Sequence, residues 1–172
     1  MGHINIEIKA KCIDQEKVRE ILKSHNADYK GTDHQIDTYF KVNNGRLKLR
    51  EGNIENYLIF YEREDKEGPK QSNVILYKSE HGSNLKELLT RSLGILAIVD
   101  KQREIYFIEN VKFHLDNVQG LGTFMEIEAI DTTGNISREK LLEQCNLYLK
   151  LFGTKDSDLL TNSYSDQILA NS

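Results

Sequence analysis

The sequence predicts an α+β fold, an eight-stranded antiparallel β-barrel with helices packed outside, and three observations predict it. Eight segments carry the two-residue alternation of strands. Three others repeat apolar residues at helical spacing. No internal repeat, low-complexity tract or linker divides the 172 residues, so residues 1–172 are read as one domain.

In the first segment Ile4, Ile6, Ile8 and Ala10 alternate with Asn5, Glu7, Lys9 and Lys11, which gives a strand one apolar and one polar face. Asp14 then caps a helix striped by Val18, Ile21 and Leu22 and ending near Asn26. From Gly31 onward strands are expected at 35–41, 45–51, 57–64 and 72–79, separated by Asn, Gly and the single proline, Pro69. Asn84, with Glu87 three residues on, is a capping arrangement for a second helix striped by Leu85, Leu88, Leu89 and Leu93. Strands follow at 98–108, 111–118 and 123–130. Ser137 opens a third helix with Leu141, Cys145, Tyr148, Leu149 and Phe152 on one face, and the rest reads as a polar tail.

Composition frames the possible functions. Charged residues make up 29% and hydrophobic residues 38%, with no apolar run as long as a membrane span, so a soluble protein with no membrane partner is expected. The segment Met1 to Lys11 has neither the apolar core nor the cleavage site of a signal peptide, which makes the cytoplasm the expected location. A net charge of -4 argues against broad nucleic-acid binding while leaving room for an enclosed basic site. Cys12 and Cys145 lack metal-ligand spacing and read as reduced, small apolar residues.

The charged faces carry the functional argument. Arg46, Lys48 and Arg50 share one strand face, with Leu47 and Leu49 on the other. A single such face most often meets solvent. Here the pattern recurs in Glu7, Lys9 and Lys11; Tyr61 and Arg63; Lys101 and Arg103; His114 and Asp116; and Glu126 and Glu128. If these strands close under external helices, the apolar faces turn outward and the charged faces enclose a polar tunnel. A cationic wall opposite carboxylates calls for a polyanion and a cation, and a magnesium or manganese triphosphate supplies both. Glu126 and Glu128, joined by Glu7, offer the oxygen ligands that Mg2+ or Mn2+ prefers. Tyr39, Tyr61 and Tyr164 read as packing residues with satisfied hydroxyls, and His114 as structural.

These segments resemble the CYTH proteins, or triphosphate tunnel metalloenzymes, over nearly the whole chain. The family's opening E-x-E-x-K signature is matched by Asn5-Ile6-Glu7-Ile8-Lys9, with Asn5 in place of the first acid. Gln35-Ile36-Asp37-Thr38-Tyr39-Phe40, Gly45-Arg46-Leu47-Lys48-Leu49-Arg50-Glu51 and Leu58-Ile59-Phe60-Tyr61-Glu62-Arg63 resemble the class IV adenylyl cyclase branch, as does the pair Lys101 and Arg103. His114-Leu115-Asp116, Leu121-Gly122, Phe124-Met125-Glu126-Ile127-Glu128 and Ser163-Tyr164-Ser165-Asp166 continue the likeness. The resemblance implies that Glu7, Glu126 and Glu128 hold the metal, with Asp116 a further metal or lysine partner. It implies that Lys9, Arg46, Lys48, Arg50, Arg63, Lys101 and Arg103 bind phosphate oxygens, and it suggests a homodimer. The expected reaction is conversion of ATP to cyclic AMP and pyrophosphate. Hydrolysis of an inorganic or organic triphosphate, such as thiamine triphosphate, and a non-catalytic polyanion-binding module are the alternatives.

Overall fold

The computed structural model describes residues 3–64 and 66–172. Met1, Gly2 and Asp65 lie outside the described residues, so the reading of the Met1–Lys11 segment is met from His3 onward. Eight strands form a closed barrel: β1 (His3–Lys11), β2 (Asp28–Phe40), β3 (Arg46–Glu51), β4 (Asn56–Arg63), β5 (Lys70–Lys78), β6 (Ile95–Ile108), β7 (Val111–Val118) and β8 (Gly122–Ile130). Their order around the barrel is β1-β5-β4-β3-β2-β6-β7-β8, and every neighbouring pair is antiparallel. The helices among the described residues are α1 (Gln15–Ser24), α2 (Leu85–Leu93), α3 (Arg138–Phe152) and α4 (Tyr164–Ala170), with a 3-10 turn at Asp156–Asp158.

The alternation seen in the sequence decides which side of each strand faces a helix. Ile6, Ile8 and Ala10 of β1, Phe113 and Leu115 of β7, and Met125, Ile127 and Ala129 of β8 turn outward. There they bury against Val18 and Leu22 of α1 and Leu141, Cys145 and Phe152 of α3. This is the main core, and each fully buried Leu or Ile side chain in it contributes roughly 1.5–3 kcal/mol. A smaller cluster packs Leu89 of α2 on Phe40 and Leu49. Among the described residues no comparable cover lies over β5, whose outward Ile75 and Tyr77 are 51% and 66% exposed.

Local chemistry fixes the element ends. The Asp14 side chain accepts from Lys17 N–H at the start of α1, and Ser137 accepts from Lys140 N–H at the start of α3. Asn84 makes no side-chain capping bond at α2, so the capping arrangement expected there is absent. In the tight turn between β2 and β3, Gly45 has φ +62, and a Cβ there would lie 2.6 Å from the Phe60 ring; glycine is the residue that meets both conditions.

Three boundaries differ from the sequence expectation. β2 begins at Asp28 rather than residue 35 because its first half pairs along β6, with a register shift between Tyr29 and Gly31 that interrupts the alternation. β5 begins at Lys70 and β6 at Ile95. The presumed polar tail holds α4, which starts in a reciprocal capping box between Ser163 and Asp166. The tail is tied to β1 by Leu160 N–H donating to Lys9 O at 3.0 Å.

Candidate functional site

The inward faces of the strands line a cavity of about 280 Å³. Among the described residues eight cationic side chains and five carboxylates line it, a formal surplus of three positive charges inside a chain whose net charge is -4. The barrel therefore sequesters positive charge away from an acidic exterior. Buried like charges repel strongly in a medium less polarisable than water, so such a wall favours a polyanionic ligand.

Carboxylates gather where β1 meets β8. Glu7 stands directly opposite Glu128, and Lys9 opposite Glu126, because the antiparallel register sets both pairs on the inward face. Burial, reinforced by Glu128 and Glu126, raises the Glu7 carboxyl above the usual carboxylate range. Arg63 reaches Glu7 at 3.5 Å. Glu126 is differently placed. Burial alone would raise it, yet Lys9 at 3.3 Å, Arg103 at 3.5 Å and His114 at 3.2 Å hold it well below that range. Glu128 accepts from the Asn5 side-chain amide.

On the opposite side the cations converge on one carboxylate, Asp37 of β2. Arg50 donates to both of its oxygens at 2.9 and 2.8 Å, Lys101 to one at 2.7 Å, and Lys48 lies 3.5 Å away. Burial works against ionisation of Asp37, but Arg50, Lys101 and Lys48 outweigh it and hold the carboxyl well below the usual range. Glu55, in the loop before β4, is the second internal anion. It receives Lys112 and Gln35 and lies 3.5 Å from Arg50. Asp33, fully buried, accepts from the backbone N–H groups of Asn53, Ile54 and Glu55 and so fixes that loop.

The expected site residues are brought together unevenly. Lys9, Lys48, Arg50, Arg63, Lys101 and Arg103 line the cavity with Glu7, Glu126 and Glu128. Arg46 lies outside that lining, held by Asp166 of α4 at 2.8 Å. Asp116 is also engaged: Arg103 donates to one oxygen and then the other, and Tyr164 O–H donates as well. The four expected metal-ligating carboxylates therefore do not converge. Among the described residues no three His, Cys, Asp or Glu side chains are grouped to hold a metal ion by themselves.

Asp37, Glu55, Lys70 and Lys112 line the cavity without having been singled out from the sequence. Lys112 was detectable, since it alternates in phase with His114 and Asp116. Glu55 has no periodicity to reveal it. Tyr164, read as packing, does more: its ring lies 3.5 Å from Lys9 Nζ and its hydroxyl serves Asp116.

A closed antiparallel barrel around a sequestered cationic cavity with a carboxylate edge is a tunnel architecture. The chain belongs to the CYTH domain family, whose profile matches residues 3–159. A curated relative, described as a candidate adenylate cyclase of Methanocaldococcus jannaschii, is 28% identical over 176 residues, spanning 94% of this chain and 96% of that protein. A Pyrococcus horikoshii protein of known structure aligns with a TM-score of 0.80 at 24% identity, covering 94% of this chain and 98% of the other. A Hippeastrum candidate adenylyl cyclase, described as having a dominant triphosphatase activity, aligns with a TM-score of 0.67 at 15% identity, covering 99% and 96%. The last two likenesses concern the fold.

Proposed function

We propose that the tunnel binds the polyphosphate of a nucleoside triphosphate together with Mg2+ or Mn2+, and that it converts ATP to cyclic AMP and pyrophosphate. The observation that carries this reading is the surplus of cationic side chains around one enclosed cavity with carboxylates along one edge. The Methanocaldococcus relative, described as a candidate adenylate cyclase, favours cyclisation among the reactions such a cradle supports.

The residues fit a hard cation. Glu7 and Glu128 face each other with excess negative charge, and the neighbouring donors are oxygens, as Mg2+ and Mn2+ prefer. Glu7 and Glu128 would hold the ion together with phosphate oxygens, since Glu126 of the same strand is engaged by Lys9, Arg103 and His114. A bound divalent cation neutralises phosphate oxygens and withdraws electron density from phosphorus. Lys9, Lys48, Arg50 and Arg63 would bind the remaining phosphate oxygens, with Lys101 and Arg103 behind them. Their donors stabilise charge that grows on the leaving pyrophosphate. For cyclisation the ribose 3'-hydroxyl oxygen attacks the α-phosphorus and gives up its proton to solvent water, as the bond from phosphorus to the bridging oxygen breaks and pyrophosphate leaves into the cationic wall.

A second reading is triphosphate hydrolysis. The same cationic cradle supports it, with water in place of the ribose oxygen as the attacking group. Incubation of purified protein with ATP, tripolyphosphate or thiamine triphosphate, each with Mg2+ or Mn2+, separates the readings. Cyclic AMP and pyrophosphate from ATP are expected. Orthophosphate as the product would replace cyclisation with hydrolysis, and ligand binding without turnover would leave a polyanion-binding module.

A further inference from the structure

The two ends of the tunnel differ. Antiparallel pairing gathers Tyr57 of β4, Leu76 of β5, Lys112 of β7 and Ile130 of β8 at one end, and Lys9, Arg63 and Lys70 at the other. The tail crosses the second end. There Leu160 N–H donates to Lys9 O at 3.0 Å, Lys70 donates to Thr161 O, and Asn162 and Ser163 join the lining. At the first end Leu76 lines the cavity yet is 41% exposed, and the wall is apolar: Ile59, Tyr61 and Val74 form a cluster with Tyr57 against them. Glu55 stands between this apolar mouth and the cations behind it. Its carboxylate accepts from Lys112 and Gln35 and lies 3.5 Å from Arg50. Lys112 and Arg50 are the lining cations nearest the mouth on β7 and β3.

We propose that Glu55 ends the phosphate seat and so determines specificity: its carboxylate fills the outermost cationic position, and the part of a ligand that emerges there is an uncharged organic group lying against Tyr57, Ile59, Val74 and Leu76. The proposal rests on the reading of the tunnel as a triphosphate site, and it adds a limit to the length of the phosphate chain. A further phosphate at the mouth would meet a carboxylate of the same sign in a partly dehydrated place, where like charges repel strongly. It would also lose hydration against an apolar wall. An organic group meets neither cost. The carboxylate keeps its charge, because Lys112 and Arg50 outweigh burial and hold it well below the usual range. It also keeps its place. Asp33 accepts from the backbone N–H groups of Asn53, Ile54 and Glu55, and a Cβ at Gly52 would lie 2.6 Å from Asp33 Oδ2, so the loop is close-packed where Glu55 leaves it. A fixed charge of the wrong sign for a competitor is an ordinary means of discrimination.

The test is calorimetric affinity of the purified full chain for ATP, tripolyphosphate and a medium-chain inorganic polyphosphate, with EDTA present to prevent turnover. Wild type should bind ATP more tightly than tripolyphosphate, and the longer chain no more tightly than tripolyphosphate. Glu55→Gln should shift the preference between polyphosphate and ATP by about 10-fold toward polyphosphate, the size of one like-charge contact removed, while Glu55→Asp, which keeps the charge, should hold the wild-type preference. A counter-ion of purely structural importance would change all three affinities together and leave their ratios alone. Leu76→Lys provides a second variant that touches no buried ion pair: it extends the cationic track into the mouth and should shift the same ratio in the same direction. Circular dichroism establishes folding, and if Glu55→Gln does not fold, Leu76→Lys decides. Ratios unchanged from wild type in the folded variants overturn the proposal, as does a wild type that prefers the longer chain to ATP. Wild type that binds ATP and tripolyphosphate with unchanged ratios in the variants sinks the role of Glu55 alone. Wild type that binds none of the three ligands sinks the tunnel reading, and this proposal with it.

Discussion

Arg103 of β6 and Asp116 of β7 form a two-pronged ion pair, Nε and Nη2 each 2.7 Å from a carboxylate oxygen, with Asp116 wholly buried and Arg103 3% exposed. Register makes the pair, since the two residues are direct partners across the strands. Asp116→Asn keeps the shape but leaves a buried guanidinium without its counter-charge. We expect a loss of about 3–5 kcal/mol, the usual consequence of breaking such a pair from one side. Urea unfolding measures it, and an unchanged midpoint would show that Arg103 finds another partner, with Glu126 at 3.5 Å the nearest.

Asp37 should act in opposite directions on stability and on ligand affinity. Its carboxyl, held well below the usual value by Arg50, Lys101 and Lys48 against the cost of burial, contributes stability that is fully present above the unfolded-state value of about 3.9. That contribution is lost as pH falls through the lower folded-state value. Asp37→Asn should therefore destabilise the protein by about 3–5 kcal/mol at neutral pH and flatten the acid limb of its pH–stability curve. It also removes the counter-ion that engages three cations, so calorimetric affinity for tripolyphosphate should rise at low salt. A fall in affinity would mean that Asp37 orients Arg50 and Lys101 more than it competes with the ligand.

Tyr164 joins the C-terminal helix to the tunnel by two separable contacts. Its hydroxyl donates to Asp116 at 2.7 Å, and its ring supports Lys9 Nζ at 3.5 Å. Tyr164→Phe removes the first and keeps the second, and should lower stability by about 1.5–3 kcal/mol, the value of a hydrogen bond to a charged group. Tyr164→Ala removes both and should also speed amide exchange across residues 159–170. Equal effects of the two substitutions would assign no role to the ring.

How much of this could be read beforehand depends on whether a residue's partner lies on its own strand. The alternation of Arg46, Lys48 and Arg50, or of Glu126 and Glu128, is local, and it was sufficient to place charge on the inward face and to anticipate the barrel. Partnership is not local. Asp37 meets Arg50 because β2 and β3 register that way, and it meets Lys101 diagonally, since Lys101 itself pairs with Gln35. Sequence spacing contains neither fact. For the same reason the spacing that pointed to Asp116 as a metal or lysine partner does not show that Arg103 and Tyr164 engage it. Arg46 shares the strand face of Arg50, yet the tail brings Asp166 to it. The tail itself has few apolar residues, so the helix beginning at Tyr164 had a capping box to announce it and little stripe.

The least committed cations should make the strongest phosphate contacts. Arg63 has Glu7 at 3.5 Å, and Lys48 has Asp37 at 3.5 Å with the Tyr39 hydroxyl at 3.3 Å; both are longer than the 2.7 Å contact of Lys101 to Asp37. Their side chains are 15% and 14% exposed, against 1% for Lys101. A donor already satisfied must break a short charged contact to reach a ligand, while a loosely paired one gives up little. Arg63→Ala and Lys48→Ala should each weaken tripolyphosphate binding by about 10- to 100-fold, corresponding to a charged hydrogen bond of about 1.5–3 kcal/mol, with little change in urea midpoint. Lys101→Met should chiefly lower stability, because it strips Asp37 of a buried partner. Binding and unfolding measured on the same three variants decide the matter. Should Lys101→Met lose more affinity than Arg63→Ala, the ligand must reach past the exposed cations to the innermost one, and the phosphate chain would have to be placed deeper in the barrel than the Arg63–Lys48 level.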